Sequence, residues 1–82
     1  MTNEEILKVL QNLVGEQFAT EPDEIGMDTS YEEDLGADSV DLVELVMAME
    51  EEFDIGEIAE EELTSLRTVG DSVRFLAAKL SK

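Results

Sequence analysis

The chain has 82 residues, no cysteine, no histidine, and 22 Asp and Glu against five Lys and Arg, giving a formal net charge of −17. That length holds one domain, expected to span residues 1–82, with a modest core and no disulfide to reinforce it. Without imidazole or thiol there is no Ser-His-Asp triad, Cys-His pair or ordinary zinc centre, a carboxylate pair has little room for a pocket, and the acidity speaks against nucleic acid; independent catalysis is not expected, and neither is a metal site.

Thr2 and Glu5 form a capping-box pattern, and Ile6, Leu10, Leu13, Val14 and Phe18 recur on one helical face, which predicts a first helix from about Asn3 to Phe18. A long connection follows from Ala19 to Ala37. It holds Pro22 and Gly26 among Asp, Thr and Ser residues, with Ile25, Tyr31 and Leu35 as expected anchors into the core. A loop of that length has structural or functional work to do.

The run Asp34-Leu35-Gly36-Ala37-Asp38-Ser39-Val40-Asp41 turns that loop into a second helix: Gly36 permits a sharp turn, Asp38 suits an N-cap, and apolar periodicity begins at Val40. Ser39 therefore sits on the first turn. The partial positive charge of a helix N-terminus favours a phosphate ester on a neighbouring side chain, so Ser39 is a candidate modification site. The competing interpretation is that Ser39 only caps the helix.

The second helix is expected from about Ser39 to Glu52. Its core face carries Leu42, Val46, Met49 and Phe53, flanked by Val43 and Leu45, while Val40, Glu44, Met47 and Glu51 lie opposite with Asp41 and Ala48 beside them. Two apolar residues one helical repeat apart within an acidic stripe have the pattern of a small apolar contact ringed by steering charge. Glu50, Glu51 and Glu52 oppose the helix dipole, so something other than helix stability retains them; a solvated acidic end or a loose divalent-cation site are the simple alternatives, and no EF-hand spacing exists.

Beyond Phe53, Gly56 breaks the helix, and Ile58, Ala59, Leu63 and Leu66 suggest a short third helix without fixed limits. Thr68 and Asp71 form another capping box. Val69, Val73, Leu76, Ala77 and Leu80 then supply the stripe of a last helix, from which Phe75 falls off. The expected fold is all-α: a small four-helix bundle of three longer helices and one short one, with a long first loop.

The cations are Lys8, Arg67, Arg74, Lys79 and Lys82, so the stretch from Val9 to Leu66 has none and holds every carboxylate except Glu4, Glu5 and Asp71. That middle repels itself. The fold is expected to gain from salt or divalent cations, and the charge to serve solubility or the steering of basic partners. Clear apolar periodicity favours a folded chain over a disordered one. No apolar run approaches a membrane span, the acidic N-terminus does not resemble a signal or transit peptide, and the lack of cysteine fits a reducing, cytoplasmic setting.

Essentially the whole chain resembles the freestanding bacterial acyl carrier proteins of dissociated, type II fatty-acid synthases. The resemblance is densest in Asp34-Leu35-Gly36-Ala37-Asp38-Ser39, in Leu45-Val46-Met47-Ala48-Met49-Glu50-Glu51-Glu52-Phe53-Asp54 and in Thr68-Val69-Gly70-Asp71. It implies that a phosphopantetheinyl transferase uses coenzyme A to place a 4'-phosphopantetheine phosphodiester on Ser39, and that the arm's thiol carries acyl groups as thioesters. It assigns Asp38, Val40, Asp41, Glu44, Met47, Glu50 and Glu51 to docking on basic patches of acyltransferases, ketosynthases, reductases, dehydratases and thioesterases. It also implies a monomer whose acyl chains retreat between the helices, where Met49 adapts to variable filling.

Two departures from the family pattern stand out. The residue after the serine is commonly leucine and here is Val40; the segment from Phe53 to Val69 is one residue longer than usual and lacks a Pro-Asp opening, with Gly56 and Glu57 nearby instead. Either change fits a carrier of a specialised polyketide or lipopeptide pathway, and an acidic interaction module that never carries a group is the alternative of a different class.

Overall fold

A computed structural model describes residues 1–80, which form four α-helices: α1 (Asn3–Phe18), α2 (Ser39–Phe53), α3 (Glu60–Leu63) and α4 (Val69–Leu80), with a 3-10 turn over Pro22–Glu24. The three long helices follow from local signals. Thr2 Oγ1 accepts from the Glu5 amide at 3.1 Å while Glu5 reaches back to the Thr2 amide at 2.8 Å, and Thr68 and Asp71 repeat the exchange at the start of α4, both at 3.1 Å. Each box satisfies amides that the helix itself leaves without partners.

The core joins Ile6, Leu10 and Val14 of α1 to Leu45, Val46, Met49 and Phe53 of α2 and to Val69, Val73 and Leu76 of α4, with Ile25, Tyr31, Ala37, Ile58 and Leu66 contributed by connections. Ile25 and Tyr31 are buried as expected, and Leu35 is partly buried. The long first loop is thus a packed element. Its other end of the ledger is backbone: the Tyr31 amide donates to Arg67 O at 3.0 Å, the Val69 amide to Thr29 O at 2.9 Å and the Gly70 amide to Met27 O at 2.8 Å, around an antiparallel bridge between Ser30 and Thr68.

Gly70 makes this seam possible, because a Cβ there would lie 2.8 Å from Met27 O. Beneath the seam the Tyr31 hydroxyl and Ser72 Oγ share a buried hydrogen bond of 2.7 Å, the kind of pairing a buried polar group requires. Burial pushes the Tyr31 phenol up to about 12; the Ser72 hydrogen bond works against the rise and the Asp71 carboxylate adds to it.

Two expectations need correction, and Phe75, off the helical stripe, finds its place. Val43 is 46% exposed rather than beside the core, because the element facing it, α3, is too short to cover it. Of the four residues that suggested the third helix, only Leu63 lies in it: Ile58 and Leu66 are buried just outside, and Ala59 is the N-cap. Phe75 is half-buried against the edge of the core, with the Lys79 ammonium 5.3 Å from its ring centroid, which gives it a place the helical stripe does not predict.

Candidate functional site

The candidate site begins where the first loop ends. The Ala37 amide donates to Tyr31 O at 2.8 Å and Ala37 is buried, so the chain reaches α2 from a fixed point in the core. Gly36 turns it there, at φ 68°, a left-handed conformation that suits glycine. Asp38 then caps α2: its Oδ1 accepts from the Asp41 amide at 2.9 Å, and Asp41 Oδ2 accepts from the Asp38 amide at 3.2 Å.

This exchange bears on the capping role open to Ser39. Asp38 and Asp41 do the capping, whereas the Ser39 hydroxyl is exposed on the first turn and makes no side-chain hydrogen bond. A helix cap is therefore not its job. From the opposite side, Gln17 Nε2 of α1 donates to Asp41 O at 2.7 Å and ties this first turn to the bundle.

Along α2 the outward residues share one face. Val40 is 63% and Met47 59% exposed, Glu44 and Glu51 are exposed between and beyond them, and Val43 extends the apolar part of the stripe toward Ser39. Asp41 and Glu50 differ from the rest. Asp41 is half-buried in its capping box, and Glu50 is half-buried with Oε2 accepting from the Ile58 amide at 2.6 Å, so neither carboxylate is simply displayed. Glu50 thereby has a structural reason to sit at a helix end that its charge opposes, one its position in the sequence could not reveal.

A groove of about 620 Å³ opens beside Ser39, lined by Ser39, Leu42 and Val43 of α2 and by Glu60, Glu61, Leu63 and Thr64 of α3 and its C-cap. A second cavity of about 430 Å³ shares Leu42, Leu63 and Thr64 with it and runs toward Tyr31, Leu66 and Arg67. Two leucines thus stand between a groove at the serine and a cavity nearer the core. Among the described residues no three acidic side chains converge as a metal site would require, and no helix is long and apolar enough to cross a membrane.

The chain matches known proteins over most of its length. A family model described as "Phosphopantetheine attachment site" matches residues 8–76. The chain is 51% identical over 79 residues to a protein named acyl carrier protein from Prochlorococcus marinus, covering 96% of this chain and 98% of that one. A solved structure of an acyl carrier protein from Enterococcus faecalis, reported for its high thermal stability, superposes with a TM-score of 0.79 at 32% identity, over 96% of this chain and 99% of that one.

Proposed function

The chain belongs to the phosphopantetheine-attachment family of acyl carrier proteins, and on that premise we propose that Ser39 is its attachment residue and that it carries acyl chains for fatty-acid biosynthesis in the cytoplasm, as a carrier without catalysis of its own. The observation that carries this is the uncommitted Ser39 hydroxyl, exposed between two aspartates that already satisfy the helix end.

The residues present fit such a group. An exposed hydroxyl can be approached by a transferase, and Ser39 stands on the first turn of α2, whose positive end would favour a phosphodiester there. Ser39 Oγ forms the new ester bond to the pantetheine-bearing phosphorus of coenzyme A and gives up its proton, while the pyrophosphate bond to the nucleotide breaks and adenosine 3',5'-bisphosphate leaves. Once attached, the arm supplies the terminal thiol that holds acyl groups as thioesters, a thiol this cysteine-free chain lacks.

Val40, Glu44, Met47 and Glu51, with Asp38 at the capping end, support the docking role: exposed carboxylates steer encounter with basic enzymes while Val40 and Met47 give a small apolar contact. Such a surface suits partners that must leave after one transfer. Val43 belongs with that contact.

Incubation with coenzyme A and a broad-specificity phosphopantetheinyl transferase should add the mass of one arm to the wild-type protein and none to Ser39→Ala. A wild-type protein that stays unmodified would favour the non-carrier interaction module instead. Glu44→Lys should slow association with the transferase roughly tenfold at low salt, with a smaller effect at high salt; equal association rates for variant and wild type would move the docking face elsewhere.

A further inference from the structure

The groove beside Ser39 has one wall that cannot stand by itself. α3 has four residues, none of them buried, and a single helical turn does not persist in water without support. Yet α3 and its C-cap contribute Glu60, Glu61, Leu63 and Thr64 to that groove. Whatever fixes α3 fixes the width of the groove.

Buried Ile58 and Leu66 pin the chain on either side of α3, and polar contacts hold its entrance. Glu50 Oε2 accepts from the Ile58 amide at 2.6 Å, and Glu62 Oε1 accepts from the next amide, Ala59, at 3.1 Å. Glu62 Oε2 lies 3.7 Å from Lys79 Nζ of α4. Two consecutive amides are thus held by carboxylates, one from α2 and one tied to α4.

These contacts are not equal. A long, solvent-facing ion pair such as Lys79–Glu62 contributes little, whereas a carboxylate accepting a short hydrogen bond in a partly buried place is among the stronger kinds. Glu50 is also the contact that crosses from α2 to the segment leading into α3, the two sides of the groove. We propose that Glu50 is a positioning residue for this groove: by gripping the Ile58 amide it sets α3 at the separation from α2 at which an acyl chain borne on Ser39 is enclosed. The role rests on the carrier assignment of Ser39.

The test compares wild type, Glu50→Gln and Glu50→Ala. In the unloaded proteins, exchange of the Ile58 amide measured by NMR should quicken roughly tenfold in Glu50→Ala and less in Glu50→Gln, whose neutral oxygen can still accept, with α1 amides unaffected. Each protein is then loaded by the transferase from octanoyl- or acetyl-coenzyme A, and the gain in melting temperature of the octanoyl over the acetyl form is read. An enclosed chain stabilises the folded state, so wild type should show a gain that falls by about half or more in Glu50→Ala and is partly kept in Glu50→Gln.

A purely structural Glu50 would lower both loaded forms alike and leave the gain unchanged, which overturns the positioning role. So would an Ile58 amide that exchanges at the same rate in all three proteins, or a wild type with no octanoyl gain. Failure of wild type to accept any arm overturns the carrier assignment instead, and the exchange rates still report whether Glu50 grips α3.

Discussion

The half of the molecule made by α1, the first loop and α4 differs from the half made by α2 and α3 in how it uses its surface. α4 buries Val69, Gly70, Ser72, Val73 and Leu76, and the loop is sewn to its start through backbone hydrogen bonds. α3 buries none of its residues, and α2 turns Val40, Val43 and Met47 outward. α2 also serves the fold by burying Leu45, Val46, Met49 and Phe53, but its outward face keeps apolar surface and an unengaged hydroxyl exposed. In a domain this small the contrast lies between faces as much as elements, since α2 alone carries both a core face and an exposed apolar one.

The widest test of that contrast is a pair of leucine truncations. Leu10→Ala, in the fully buried face of α1, should cost about 3–4 kcal/mol in urea denaturation, whereas Leu63→Ala, half-buried on α3, should cost about 1 kcal/mol or less. Similar losses at both positions would erase the distinction.

Alkaline pH probes the sewn half alone. Tyr31 keeps its proton in the folded state up to about 12, while the unfolded chain releases it near the ordinary value of 10, so above that value the folded state binds more protons. Stability should therefore fall as pH rises from about 10 to 12, by about 2–3 kcal/mol from this group. Tyr31→Phe should lose this component and show a shallower decline, at a cost near neutral pH of about 1–2 kcal/mol because Ser72 loses its buried partner. Identical alkaline slopes for the two proteins would remove Tyr31 from the seam's energetics.

The smallest effect is expected on the open half. Met47→Ala should change unfolding stability by no more than about 0.5 kcal/mol while weakening binding to the transferase several-fold, read by the concentration dependence of loading. A large stability loss would mean that Met47 supports the fold.

Much of the fold was legible because its signals are local. Capping boxes at Thr2–Glu5 and Thr68–Asp71 and an N-cap at Asp38, with apolar residues at helical spacing after them, mark the starts of α1, α4 and α2, and the ends of α1 and α2 fall within a residue of those expected. The long loop's anchors Ile25 and Tyr31 were legible as isolated apolar side chains among turn formers. What escaped depends on contacts distant in the chain. Nothing around Glu50 announces an amide eight residues on, nothing near Ser30 announces Thr68, and Ile58 and Leu66 bracket a helix while imitating its periodicity. At the candidate site, Ser39 stood out by position and motif, but that Asp38 and Asp41 relieve it of capping is a matter of geometry.

The Tyr31–Ser72 pair also decides what an optical measurement on this protein can see. The chain has one tyrosine and no tryptophan, so its intrinsic emission comes almost wholly from a ring locked between the first loop and α4. That signal is a built-in reporter of one seam and senses the wall beside Ser39 only across the cavity that Tyr31 shares with Leu63 and Thr64. An emission melt and a backbone-averaged circular dichroism melt should coincide only if the two halves come apart together; a chain that loosens α3 first will lose helix signal before its tyrosine responds.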